Sequence, residues 1–331
     1  MEKILVIGSN SFSGSTFIQN ALMNHFQIIG ISRSPEIHPV FLPYRSLDLQ
    51  IQQNYQFYQG DLNHHLDSIM KLIYETNTSY IVNFAAQSMV AESWLYPTDW
   101  MMTNVVSTVK FHEQLRKCKF LKKYVHISTP EVYGSCEGLV PPSTSYNPST
   151  PYAVSRAAGD MWLMALYKNY KFPVVFTRAA NVYGPGQQLY RIIPKTIMNI
   201  KLGKKLPLHG GGHSVRSFIH IQDVAEGTLQ ALFHADPGEI YHFSTAKNIS
   251  IRDLVQLICL RMNKQFEDVV NIVEERPGKD AAYLLDSQKA LTKLNWRDKI
   301  SLEEGIDQTI EWVEKNMEVL KSMPRDYVHK S

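Results

Sequence analysis

The chain has 331 residues, 44% of them hydrophobic and 20% charged, a balance that fits a globular protein and excludes a disordered or fibrous one. Its formal net charge is only +3, with Lys and Arg scattered along the sequence, which argues against nucleic-acid and membrane partners and leaves small anions as candidate ligands. Cys118, Cys136 and Cys259 are too few and too far apart for a disulfide framework and match no metal spacing, so they point to a reducing, cytoplasmic setting. The sequence opens M-E-K-I-L-V-I-G, which reads as a strand and not a leader, and no apolar run reaches the roughly 18 residues needed to span a bilayer.

In chain order, Lys3–Ile7 is a short apolar run ending at Gly8, followed by a helix over 14–25 and a second strand over Gln27–Ser32. Tyr55–Gly60 reads as a third strand, closed by Asp61-Leu62; His65–Asn77 has helical spacing; Tyr80–Phe84 is a strand running into A-A-Q-S. A long helix is expected over Met101–Arg116, a strand over Tyr124–Ser128, a helix over Pro151–Tyr170 and a strand over Val174–Arg178. Strand and helix alternate at βαβ spacing, which predicts an α/β fold with a doubly wound parallel sheet. From about residue 181 the rhythm breaks. Turn-rich segments (Y-G-P-G, H-G-G-G-H) and helices near 252–263 and 302–316 suggest a smaller lobe. The expected division is residues 1–180 as a dinucleotide-binding domain, into which later segments cross back, and 181–331 mostly as a substrate lobe.

The turn Gly8-Ser9-Asn10-Ser11-Phe12-Ser13-Gly14 lies between the first strand and the first helix. Glycine there permits a tight turn and close approach of a pyrophosphate, and the helix start offers amide donors. At the end of the second strand, where an acidic residue commonly binds the ribose of NAD, the sequence is Ile31-Ser32-Arg33-Ser34, with no carboxylate before Glu36. A hydroxyl and a guanidinium suit a 2′-phosphate, so NADP is favoured over NAD. Further on, I-S-T-P-E-V-Y-G at 127–134 and Y-A-V-S-R at 152–156 bring a hydroxyl, a carboxylate, a phenol and a fixed cation into one stretch. His209, His213 and His220 match no common zinc spacing, so no metal is expected.

Together with N-V-Y-G-P-G at 181–186, R-S-F-I-H-I-Q-D-V-A at 216–225 and R-P-G-K-D at 276–280, these motifs resemble the extended short-chain dehydrogenase/reductases of the nucleotide-sugar epimerase and dehydratase superfamily, over almost the whole chain. S-T-P-E-V-Y-G and R-P-G-K-D look most like the dTDP-glucose 4,6-dehydratases; A-A-Q-S-M-V-A-E-S and I-S-R-S look more like the GDP-mannose 4,6-dehydratases. The resemblance implies a Rossmann-type sheet and an NAD(P)-dependent 4,6-dehydratase, a lyase giving a 4-keto-6-deoxy sugar. It implies a cofactor site at Gly8, Ser11, Phe12, Ser13, Gly14, Ser32, Arg33, Asp61, Leu62, Ala85, Ala86 and Gln87, completed by Tyr152 and Arg156. Tyr152 would be the base for the sugar 4-OH, Thr129 a hydrogen-bond partner of the 4-oxygen, and Glu131 the base at C5. Ser88, Thr129, Asn181, Arg191, Lys195, Arg216 and Arg276 would meet the nucleotide-diphosphate hexose.

Three positions depart from the pattern. Ser11 stands at the middle glycine of G-x-x-G-x-x-G, Arg156 at the lysine of Y-x-x-x-K, and Pro130 where the dTDP-glucose enzymes carry an acidic proton donor. The 101–116 and 151–170 helices correspond to a pair that often forms an intersubunit bundle, so a homodimer or homotetramer is implied. Two other readings stay open: an epimerase or decarboxylase of the same superfamily, and a non-catalytic dinucleotide sensor.

Overall fold

In the first strand, β1 (Lys3–Ile7), Ile4 and Val6 pack into one hydrophobic cluster and Leu5 and Ile7 into another, and all four are buried. A strand apolar on both faces belongs inside a sheet covered on both sides. The computed structural model, which describes residues 2–136, 138–274 and 284–330, has that architecture. Its seven-stranded sheet joins β1 to β2 (Gln27–Ser32), β3 (Tyr55–Gln59), β4 (Tyr80–Asn83), β5 (Lys123–Ile127), β6 (Val174–Ala179) and β7 (Ile240–Phe243), in the order β7-β6-β5-β4-β1-β2-β3. Every pairing is parallel. The order reverses between β1 and its neighbours β2 and β4, and such a switch opens a crevice at the carboxyl ends of the strands.

One face of the sheet is covered by α1 (Phe12–Met23), through Phe17, Ile18 and Ala21, together with the helix Ile221–His234. On the other lie α2 (Leu66–Thr76), α3 (Thr108–Leu115) and α4 (Pro151–Tyr170), through Ile69, Phe111, Leu163 and Leu166. The α4 boundaries match the sequence reading because the helix is well marked: Thr150 accepts from the Ala153 N–H as its N-cap, Pro151 opens the first turn, and Lys171 closes it in the left-handed region.

The helix expected over 101–116 is longer and broken. It starts with Pro97–Met101, widens into a π turn over Met102–Ser107, and resumes as α3. Asn104 accounts for the widening, since its buried amide is drawn to Gln87 and Ser155.

Beyond β6 a third core forms around Tyr183, Ile193, Ile197, Leu254, Ile258 and Val313. Short parallel pairs, Asn181–Tyr183 with Phe218–His220 and Leu206–His209 with Val270–Val273, frame this lobe. Between them the chain returns to the main sheet as β7. Among the described residues no helix is long and apolar enough to cross a membrane.

Candidate active site

The glycine-rich turn folds back on itself. Ser11 caps α1: its hydroxyl donates to the Gly8 carbonyl at 2.7 Å and accepts from the Gly14 N–H at 3.0 Å. The hydroxyl at this departing position is therefore engaged inside the loop. Gly8 has φ +83° and lies so close to β4 that a Cβ would come within 2.7 Å of the Ala85 nitrogen; a Cβ on Gly14 would meet the Gly8 carbonyl oxygen at 2.4 Å. The first turn of α1 carries no acidic residue to repel an anion. This cradle fits a pyrophosphate.

A cleft of about 330 Å³ runs along the carboxyl ends of β1, β2 and β4. Of the residues expected at a cofactor, Gly8, Ser11, Ser32, Arg33, Asp61, Leu62, Ala85, Ala86 and Gln87 line it. Phe12, Ser13 and Gly14 form the helix start behind it. Ser32 accepts from the Asn10 N–H at 3.0 Å, so its hydroxyl braces the glycine-rich turn. Glu36, the first carboxylate after β2, is committed elsewhere: it accepts from Tyr44 at 2.7 Å and pairs with Arg45, and it does not line the cleft. Asp61 accepts from the Asn63 N–H at 2.7 Å.

Thr129, Glu131, Tyr152 and Arg156 converge where β5 ends and α4 begins. Thr129 caps a short turn over Pro130–Tyr133, accepting from the Glu131 N–H at 3.3 Å. Tyr152, in the first turn of α4, is buried. Burial pushes its phenol above the usual range; the charge of Arg156 is the largest opposing influence, Glu131 adds to the rise, and a hydrogen bond with Thr129 and the charge of Arg191 pull it down. Arg156, 4% exposed, donates to the Ile127 carbonyl, and its Nη2 lies 3.4 Å from His126 Nε2. Its Nε is buried without a hydrogen-bond partner among the described residues, a donor that a ribose hydroxyl would satisfy.

Sequence reasoning missed the layer beneath. Asp160, two turns along α4 from Tyr152, is fully buried and lies 2.9 Å from Arg178 and 3.3 Å from His126, and it accepts from Ser128 at 2.5 Å. Burial would raise its pKa, but the bond with His126 and the charge of Arg178 prevail and hold it at about 2. Arg178 also donates to Tyr133, which lies 2.8 Å from His242. This network holds the strand that carries Thr129 against the helix that carries Tyr152. The available signal was a lone carboxylate inside the apolar stretch of α4. Asn104 was missed likewise; it accepts from the Gln87 N–H and donates to the Ser155 hydroxyl, both at 2.9 Å, tying the segment after β4 to α4.

The expected substrate residues are less concentrated. Ser88 is exposed just beyond Gln87. Arg191 precedes the helix Ile192–Lys201 and is the one whose charge reaches Tyr152; Lys195, on that helix, pairs with Asp326 at 3.4 Å. The Asn181 amide donates to the Ser217 carbonyl at 3.2 Å, and Arg216 donates to the Val215 carbonyl at 2.8 Å. Arg276 lies outside the described residues. Among the described residues no group of three His, Cys, Asp or Glu side chains is placed to hold a metal ion. His220 instead caps a helix, accepting from the Gln222 N–H.

Known proteins resemble this chain over nearly its whole length. The family model described as GDP-mannose 4,6 dehydratase matches residues 5–309. The human dTDP-D-glucose 4,6-dehydratase is 33% identical over 98% of this chain and 93% of its own length. The crystal structure of dTDP-glucose 4,6-dehydratase from Bacillus anthracis, in complex with NAD, superposes with a TM-score of 0.86 at 30% identity, over 97% of this chain and 99% of that one. The enzyme of the same name from Streptomyces venezuelae, also holding NAD, gives 0.87 at 28% identity over 96% and 98%.

Proposed function

The chain belongs to the GDP-mannose 4,6-dehydratase family and is an NAD(P)-dependent nucleotide-sugar 4,6-dehydratase, and from that premise we propose which of its residues carry the reaction. The observation that supports the assignment is the convergence of Thr129, Glu131 and Arg156 on the buried phenol of Tyr152. Tyr152 takes the proton of the sugar 4-OH, and the Thr129 hydroxyl holds that oxygen as it becomes a ketone. A dinucleotide held in the cleft by Gly8, Ser32 and Arg33 would supply the hydride acceptor for C4 and the hydride donor for C6. Glu131 removes the C5 proton that the ketone has acidified and, because Pro130 has no proton to give, Glu131 hands the same proton to the departing C6 hydroxyl. Arg156 opposes the rise that burial imposes on Tyr152, and Arg191 adds to that effect.

The diphosphate of the substrate is assigned to Asn181, Arg191, Arg216 and Arg276, with Ser88 and Lys195 at its edges. NADP is assigned over NAD because Ser32 and Arg33 line the cleft while the first carboxylate after β2, Glu36, is turned onto Tyr44 and Arg45. A homodimer is assigned on the exposed apolar side chains that remain on the paired helices, Met102, Val106, Val154 and Met161.

The test is to incubate the purified protein with UDP-, dTDP-, GDP- and CDP-hexoses and each dinucleotide, and to follow the sugar by mass spectrometry. One nucleotide sugar should lose one water, with NADP saturating at lower concentration than NAD. Glu131→Gln should slow that loss by about 100-fold or more. Water loss at the unmodified rate in Glu131→Gln would remove Glu131 from the mechanism, and equal affinity for the two dinucleotides would make Arg33 a solvent-facing residue.

A further inference from the structure

Residues 325–330 have no helical or strand pattern, yet side-chain contacts hold them along their length and Lys330 reaches the cofactor cleft. Asp326 meets Lys195 of the lobe helix at 3.4 Å. Tyr327 packs edge-on against Tyr190 with ring centroids 5.6 Å apart, and it feels the charges of both Arg33 and Arg191. The His329 ring lies parallel to those of Tyr96 and Trp100, at 4.6 and 5.3 Å, and its Nε2 is 2.7 Å from Asp99. The Lys330 carbonyl accepts from Gln87 Nε2 at 2.7 Å, and Lys330 itself lines the cleft. The segment thus bridges the lobe helix and the sheet domain, and at its end Lys330 and its partner Gln87 both line the cleft.

We propose that residues 325–330 form a strap belonging to the dinucleotide site, which closes over the bound cofactor and retains it between turnovers. The chemistry favours retention. Hydride removed from C4 is given back at C6 of the same sugar, so the cofactor ends each cycle in its starting oxidation state and need not exchange. A strap held by two side-chain contacts to charged partners, ring stacking and a backbone contact suits slow release and still permits initial loading. Gln87 joins the strap to the cleft floor, because its N–H is fixed by Asn104 while its side-chain amide holds Lys330. The proposal rests on the cleft being the dinucleotide site.

Release of bound dinucleotide, followed by fluorescence after dilution or chase, tests it. The unmodified chain must bind dinucleotide; failure there overturns the cofactor reading and the strap together. Given binding, His329→Ala in the full chain should speed release by about tenfold or more, from loss of the bond to Asp99 and the ring contacts. His329→Phe, which keeps the ring, should fall between. Removing residues 325–331 should give the largest effect, with the melting temperature of the dinucleotide-free protein showing that it still folds. Release at the unmodified rate in His329→Ala would overturn the strap while leaving the cofactor reading intact. So would a truncated protein that loads faster but releases no faster, because the segment would then be a barrier to entry.

Discussion

Arg156 illustrates how a single side chain can keep its charge in place while changing how it is held. The guanidinium is sunk beneath Tyr152, donating to the carbonyl that ends β5 and facing His126. If its charge is what lowers the barrier to removing the phenolic proton, Arg156→Met should raise the Tyr152 pKa and move the rising limb of the pH–rate profile to higher pH. The rate near neutrality should fall by about 10- to 100-fold. Arg156→Lys keeps the charge and should stay within about tenfold of the unmodified rate. An unchanged profile in Arg156→Met would mean that another group activates Tyr152. At this scale the sequence pointed to residues wherever chemistry and motif coincided, as at Thr129, Glu131, Tyr152 and Gly8. It was silent on Asp160, Arg178 and His126. Their role depends on three-dimensional neighbours drawn from β5, β6 and α4, and each alone reads as an ordinary polar residue.

Among the elements, strands β1 and β2 and helix α4 lie where periodicity and end signals predicted, because those signals are local. The π turn over Met102–Ser107 has no local signal, since the partners of Asn104 come from Gln87 and Ser155. The 325–330 segment was equally hidden: P-R-D-Y-V-H-K carries no period, and its conformation is set by Asp99, Tyr190 and Gln87. On the paired helices, Phe111, Trp162 and Tyr167 pack into the core against the sheet. Met102, Val106, Val154 and Met161 are left exposed, at 48%, 39%, 41% and 52%. Apolar groups at that exposure are what a second copy would cover. Met161→Glu should therefore convert a dimer to a monomer in sedimentation analysis. A protein already monomeric at micromolar concentration, or a Met161→Glu protein that stays dimeric, would rule out this face.

At the scale of the whole molecule, four histidines are buried among the described residues: His112, His126, His220 and His242. Burial lowers all four pKa values, to about 4 for His220 and about 3 for His242. The unfolded chain protonates first, near the ordinary histidine value of about 6.5, so stability is complete above that pH and declines below it. The decline continues until the pH has passed the folded values, with His220 alone contributing on the order of 3 kcal/mol. Asp160, held at about 2, adds its own loss below about pH 4. The melting temperature should fall steeply between pH 7 and pH 4. A flat profile there would show that these imidazoles reach water.

The return of the chain to the sheet at β7 bears on how the protein is made. Strand β6 is an interior strand only because Ile240–Phe243 lies beside it, and those residues come after a large part of the lobe. During synthesis, β6 stays an unpaired edge until residue 243 has left the ribosome, exposing a template for pairing with other chains. The nascent sheet is therefore incomplete until much of the lobe has been translated, and a fragment cut near residue 180 would inherit the same open edge.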